Sequence, residues 1–349
     1  MSTPRLAVIG AGVIGRMHID LLAGGAVGSL AAVVDPSPAA TALAAGRGVP
    51  WFADHPDMLE SVRPDGVVIA TPNALHTPVA LDCLARGVPV LIEKPIADTV
   101  AAAQQVVEAS RRTGVPVLVG HHRRHNPVIR RAREAIAAGL LGRLVSVSVL
   151  ATMLKPDSYF DIGWRREKGG GPVLINLIHE IDLLRFLCGE IDGIQAMSSN
   201  AVRGFAVEDT AAVLLRFRSG ALASIALSDA AASPWSWDLV SGELAAMARQ
   251  HRDTHFLCGT EGSLSLPTLE HWRYAGARGW HAPLSAARLD CAPADPYARQ
   301  LLHFGRVIRG EEAPLVSAED ATRTLAATLA VQVAAARGDE RDSIAPGPS

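Results

Sequence analysis

The sequence predicts an α/β protein: an N-terminal doubly wound parallel sheet, then an α+β domain with a large open, mainly antiparallel sheet. Three observations carry this. A glycine-rich turn, Gly10-Ala11-Gly12-Val13-Ile14-Gly15, directly follows a short apolar run. Short, continuously apolar runs then alternate with helical stretches as far as Val119. Beyond Gly120 most apolar runs follow one another without intervening helices. Continuous apolar strands imply burial on both faces, hence a parallel sheet covered by helices. Strands in succession imply hairpins and antiparallel pairing.

In chain order, Leu6–Ile9 reads as a strand, Val13–Ala23 as a helix and Leu30–Val34 as a second strand ending at Asp35. Gly66–Ala70 is a strand, Pro78–Arg86 a helix and Val88–Ile92 a strand. Thr99–Arg112 is a helix, with Asp98 or Thr99 as its cap and Gly114 as its stop. Val115–Val119 ends this series. Helical Pro127–Ala138 opens the second half, and Leu144–Met153 is a long strand. The turn Gly169-Gly170-Gly171-Pro172 precedes a helix over Val173–Leu187. Strands follow at Gly193–Asn200, Ala211–Phe217, Leu222–Ser228, Thr254–Cys258, Ser263–Leu266 and His271–Tyr274. Helices over Pro296–Arg309 and Ala318–Ala336 close the chain.

The length of 349 residues exceeds one ordinary core and implies two domains. The pattern places a cofactor-binding domain at 1–123, a substrate-binding and oligomerisation domain at 124–340, and a flexible tail at 341–349. A net charge of -2 gives no basic footprint for nucleic acid. No apolar run reaches the roughly 18 residues that a membrane helix needs, so no membrane partner is expected. The first strand begins too early to leave room for a signal peptide. Cys83, Cys188, Cys258 and Cys291 lie far apart and form no CxxC pair, which points to free thiols in a reducing cytoplasm.

The glycine turn sits between a strand and a helix, the context that gives a GxGxxG pattern its meaning. Gly10 permits the tight turn, Gly12 lets backbone approach a pyrophosphate, and Gly15 allows close helix packing. Val13 and Ile14 open the helix, whose N-terminus favours the phosphate charge. Asp35 stands 20 residues after Gly15, at the end of the second strand. A carboxylate there accepts hydrogen bonds from ribose hydroxyls and repels a 2′-phosphate, favouring NAD over NADP.

Further motifs follow in order: Ala70-Thr71-Pro72-Asn73-Ala74-Leu75-His76, Glu93-Lys94-Pro95, and Gly120-His121-His122-Arg123-Arg124-His125-Asn126-Pro127. After them come Gly169-Gly170-Gly171 with His179-Glu180-Ile181-Asp182, and Gly259-Thr260-Glu261-Gly262-Ser263-Leu264. As an ordered set spanning nearly the whole chain, they resemble the glucose-fructose oxidoreductase / inositol dehydrogenase / MocA family. The resemblance implies a Rossmann domain and a C-terminal domain on a large open sheet that commonly mediates dimers or tetramers. It also implies NAD(P)-dependent oxidation or reduction of a hydroxyl/carbonyl centre on a sugar, inositol or related cyclic polyol. It further suggests a cis peptide at Pro95.

Alcohol oxidation needs a hydride acceptor and a base for the hydroxyl proton. Lys94 follows a strand of the parallel sheet, where an ammonium stabilises a developing alkoxide. Glu93 pairs with it or contacts the cofactor. His179 is the general acid/base candidate, since imidazole titrates near neutrality. Asn176 and Asp182 lie three residues to either side of it, on one helix face, as possible support. Family members carry an Asp four residues before this His; here that position is Ile175. The family's aromatic positions in the Arg-Arg motif are His121 and His125. The resemblance places His122 near the nicotinamide amide, and Thr71, Pro72, Asn73 and His76 beside the cofactor. Trp164-Arg165 resembles a pair that reaches over the cofactor, and Arg165 alternatively binds a substrate carboxylate. Arg123, Tyr159, Trp235 and Trp237 complete the substrate-binding candidates; the tryptophans stack on a sugar ring or lie in an oligomer contact. No ligand spacing for a metal is present. Two alternatives stay open: a dehydrogenase of a dihydrodiol or hydroxy-acid hemiacetal, and an NAD-binding sensor without turnover.

Overall fold

A computed structural model describes residues 3–244 and 247–337. The tail expected at 341–349 lies outside the described residues. The backbone divides into two compact units. The first runs to Asn126 and takes in Ala294–Ala326; the second is Pro127–Pro293 with the chain from Ala327 onward.

The first unit holds six strands: β1 (Arg5–Ile9), β2 (Ser29–Val34), β3 (Trp51–Phe52), β4 (Gly66–Ile69), β5 (Val90–Ile92) and β6 (Val117–Val119). They form one parallel sheet in the order β3-β2-β1-β4-β5-β6. Leu6, Val8, Val67, Ile69, Leu91 and Leu118 are buried, as strands covered on both faces require. The helices are α1 (Val13–Ala23), α2 (Pro38–Arg47), α3 (His55–Val62), α4 (Asn73–Ala85) and α5 (Val100–Thr113). Thr99 caps α5 by accepting a hydrogen bond from Ala102 N, and Gly114 ends it in the left-handed conformation.

Apolar patterning leaves 36–65 without elements, because α2 is alanine-rich and buries little beyond Ala40 and Ala44. Helix α4 starts five residues before the expected Pro78, which sits inside it. Its first turn is anchored by His76, whose ring lies 2.8 Å from Pro95 O and 2.9 Å from Thr71 O.

The second unit holds α6 (Pro127–Ala137), β7 (Leu144–Thr152), α7 (Ile178–Cys188), β8 (Ile191–Ser199), β9 (Thr210–Phe217) and β10 (Leu222–Ser228). It continues with α8 (Trp237–Val240), β11 (His255–Gly259), β12 (Ser263–Leu266), β13 (Glu270–Tyr274) and β14 (Leu284–Arg288). The eight strands run in the order β14-β13-β12-β11-β7-β10-β9-β8. All pair antiparallel except β7 with β10. Strand β14 was not expected: every residue is exposed at the sheet edge, so it has no burial period and exists through pairing with β13. One sheet face packs Val147, Val213, Leu215 and Ile225 against Ile129, Ile181 and Leu184 of α6 and α7. Before α7 the chain makes a π-helical turn over Val173–Leu177, so the expected single helix is two pieces.

Helix α9 (Pro296–Ile308) and α10 (Ala318–Arg337) close the described chain, and the division between units falls within α10. Residues 294–326 therefore pack with the first unit, whereas the sequence reading runs the second domain unbroken from 124 to 340. Helix α9 buries Tyr297, Leu301, Phe304 and Val307 along one stripe. A side chain at Gly66 would meet Ile308 Cδ1 at 2.7 Å and Phe304 Cε1 at 3.1 Å, so α9 closes directly over β4. Amphipathic spacing shows that such a helix covers something; it does not show which sheet.

Candidate active site

In this strand order, the connections leave β1 and β4 in opposite directions, which opens a crevice at their carboxyl ends. Gly10–Gly15 follow β1, Thr71-Pro72-Asn73 follow β4, and Glu93-Lys94 follow the adjacent β5. The glycine loop is tight where the sequence needs it tight. Gly10 has φ +96, and a side chain there would lie 2.4 Å from Ala70 O. One at Gly15 would lie 1.9 Å from Gly10 O. A side chain at Gly12 would meet nothing within 4 Å among the described residues, and no side chain caps the N-terminus of α1. Val13 is exposed and Ile14 half-buried. Uncapped amides beside an open glycine fit a pyrophosphate.

Asp35 closes the cradle. Its Oδ2 accepts from Ala11 N and its Oδ1 from Ser37 N, both at 2.8 Å. Partial burial raises the carboxyl pKa, but the hydrogen bonds of Ser37 and Ala11 and the nearby Arg16 prevail and hold it below the ordinary value. The residue therefore stays ionised, as ribose recognition requires.

Glu93 is buried and accepts from His18 Nε2 at 2.8 Å. Burial raises its pKa, yet the His18 hydrogen bond and the neighbouring His18, His122 and Lys94 outweigh this and lower it. Lys94 is half-buried and precedes a cis peptide to Pro95. His121, His122, Arg123, Arg124 and His125 are buried around a short 3-10 turn. His122 stacks on Tyr297 of α9, ring centres 4.1 Å apart and 13° from parallel. Burial lowers the pKa of His76, outweighing its two carbonyl neighbours; a neutral imidazole donates through one nitrogen.

In the second unit His179 and Asp182 are buried on α7. Asn176 is half-buried in the π-helical turn, and its Oδ1 accepts from Lys155 Nζ at 2.7 Å. Lys155 also lies 3.3 Å from Asp229 Oδ2, which shares its carboxylate with Arg203. The ammonium sits 4.7 Å from the centre of the Tyr159 ring. Arg165 lies over the same ring at 3.8 Å and donates to Tyr159 O at 2.7 Å, while Trp164 is exposed beside it. The sequence reading passed over Lys155. Its one signal was the Leu154-Lys155-Pro156 ending of an apolar run, a repeat of the Lys-Pro pattern at Lys94. Glu208 was also missed: its Oε1 accepts from Val173 N at 2.9 Å, in the space that glycine leaves at Gly171.

One expected substrate residue is overturned. Trp237 is fully buried and meets His255 edge-on at 5.5 Å, so it cannot stack on a ligand. Its partner in the motif, Trp235, is 43% exposed. Trp237 opens α8 and packs inward, while Trp235 stays in the preceding loop, so the two rings meet different surroundings.

Among the described residues no group of three His, Cys, Asp or Glu side chains is placed to hold a metal ion. Likewise no described helix is long and apolar enough to cross a membrane. None of the four cysteines forms a disulfide among the described residues, and burial pushes the thiols of Cys83 and Cys188 up to about 12.

Comparison with known proteins defines the class. Residues 4–121 match the NAD-binding Rossmann fold of the GFO/IDH/MocA oxidoreductase family, and residues 129–265 match that family's C-terminal domain. The chain is 31% identical to 1,5-anhydro-D-fructose reductase of Ensifer adhaerens over 281 residues, 78% of each chain. It is 36% identical to the rhizopine catabolism protein MocA of Rhizobium meliloti over 191 residues, 54% of this chain and 59% of that protein. A scyllo-inositol dehydrogenase from Lactobacillus casei, solved with NAD(H) and scyllo-inositol, shares the fold at TM-score 0.78 and 21% identity, covering 97% of this chain and 98% of that one. This chain belongs to the GFO/IDH/MocA oxidoreductase family, and its cofactor is NAD.

Proposed function

We propose that this chain is an NAD-dependent dehydrogenase of a sugar, inositol or related cyclic polyol. The carrying observation is Lys94, an ammonium half-buried at the carboxyl end of β5, next to β4, which bears Thr71 and pairs in turn with the glycine-loop strand β1. The named sugar reductase among its relatives supports the substrate class.

Gly10, Gly12, Gly15, Val13 and Ile14 hold the pyrophosphate, and Asp35 the ribose. Thr71, Pro72, Asn73, His76, Glu93, His122, Trp164 and Arg165 line the rest of the cofactor site. Bound nicotinamide supplies a hydride acceptor. Lys94 donates to the substrate oxygen and lowers the cost of negative charge there. His179 takes the hydroxyl proton during oxidation and returns it during reduction. Asp182 supports His179 from the next turn. Arg123, Tyr159, Arg165, Asn176 and Trp235 orient the polyol. The protein works in the cytoplasm as a homodimer or homotetramer through the open sheet face, where Met197, Leu214 and Leu222 are exposed.

The test is a panel of cyclic polyols and sugars with NAD, followed at the NADH absorbance band. Turnover is expected with at least one of them. Lys94→Ala is expected to abolish it while NAD binding, read by calorimetry, survives. Absence of turnover across the panel, or turnover that outlasts Lys94→Ala, refutes the reading.

A further inference from the structure

Lys155 is the centre of a buried polar cluster in the second unit. Lys155 leaves the end of β7 and is 7% exposed, an unusual position for an ammonium. Its N–H groups meet Asn176 Oδ1 at 2.7 Å, the Asp229 carboxylate at 3.3 Å and the face of Tyr159 at 4.7 Å. Burial lowers its pKa against the pull of Asp229. Arg203 clamps the same assembly by donating to Lys155 O at 3.0 Å and Asp229 O at 2.7 Å.

An ammonium has donors and no acceptor. Its hydrogen bond therefore dictates which way the Asn176 amide faces: Oδ1 toward Lys155, and the NH2 group away from it. Asn176 sits in the π-helical turn three residues before His179, and next to Ile175, an apolar side chain with neither acceptor nor base. The polar group that this turn presents is therefore the Asn176 amide, held as a fixed donor.

We infer that Lys155 is a positioning residue that turns the Asn176 NH2 group toward the substrate, so that this part of the pocket recognises a hydrogen-bond acceptor: a carbonyl, ring or carboxylate oxygen. The inference rests on reading His179 and Asn176 as substrate-facing. It leaves the reacting proton to His179 alone.

Steady-state kinetics with the polyol oxidised fastest separate the possibilities. Lys155→Met frees the amide to turn and is expected to raise KM about ten-fold with kcat changed less than about two-fold. Lys155→Arg, which keeps donors at the site, is expected to restore most of the loss. Asn176→Ala should raise KM comparably, and the double variant should add little, because both remove one interaction. Asn176→Asp should raise KM at least as much, since its second oxygen faces the substrate acceptor. An unchanged KM in Lys155→Met, or additive losses in the double variant, overturns the inference. If Lys155→Met does not fold, the Asn176 variants decide it: KM within about two-fold of wild type in both overturns it. His179→Asn and Lys94→Ala are measured alongside. Turnover that survives them refutes the active-site reading itself, whereas their inactivity with an unmoved KM in Lys155→Met refutes only the positioning role.

Discussion

Asp35, Glu93 and Trp237 show how a single side chain's surroundings set its role. Asp35 binds its own glycine loop through Ala11 N and remains ionised, which is the state that disfavours a 2′-phosphate. Asp35→Ala is expected to weaken NAD relative to NADP, and parallel titrations of the two cofactors check it. Glu93 has a lowered pKa in the folded state, so its ionised form stabilises the fold. That stability is fully present above the unfolded glutamate value near 4.5 and is lost as pH falls through the lower folded value. Denaturant melts at stepped pH should therefore show a loss on the acid side that Glu93→Gln flattens. Trp237 belongs to the core, and Trp237→Ala should cost about 3–5 kcal/mol of stability, while Trp237→Phe keeps the fold and KM.

At the scale of elements, the β1–α1 turn separates two uses of glycine. Gly15 faces Gly10 O so closely that Gly15→Ala should cost about 3 kcal/mol and also disrupt NAD binding. Gly12 has open space instead, so Gly12→Ala should cost about 1 kcal/mol or less yet still block NAD. Thermal melts paired with NAD titrations distinguish the two outcomes. Much of this level was legible: α1 and β10 match their expected spans, and Thr99 and Gly114 bound α5 as their side-chain chemistry predicts. What was not legible lacks a local signal. Helix α2 has little amphipathic contrast, β14 has no buried face, and α4 passes through Pro78, which patterning treats as a start.

For the whole molecule, the open sheet face is the feature that an oligomer would cover. Val145, Met197, Leu214, Leu222 and Phe256 are all exposed on it. Leu214→Glu with Leu222→Glu is expected to shift the protein to monomer in light scattering while NAD binding persists, because the first unit is untouched. By itself, the sequence determined the two architectures and the cofactor, and it supplied the residues proposed to hold it. Those depend on short-range patterns: apolar period, a strand–glycine–helix turn, and a carboxylate one strand later. The tertiary structure alone decided that α9 closes over the parallel sheet, that Trp237 is core, and that Lys155 meets Asn176. Each of these joins segments far apart in the chain, where packing and burial select partners that no local pattern specifies.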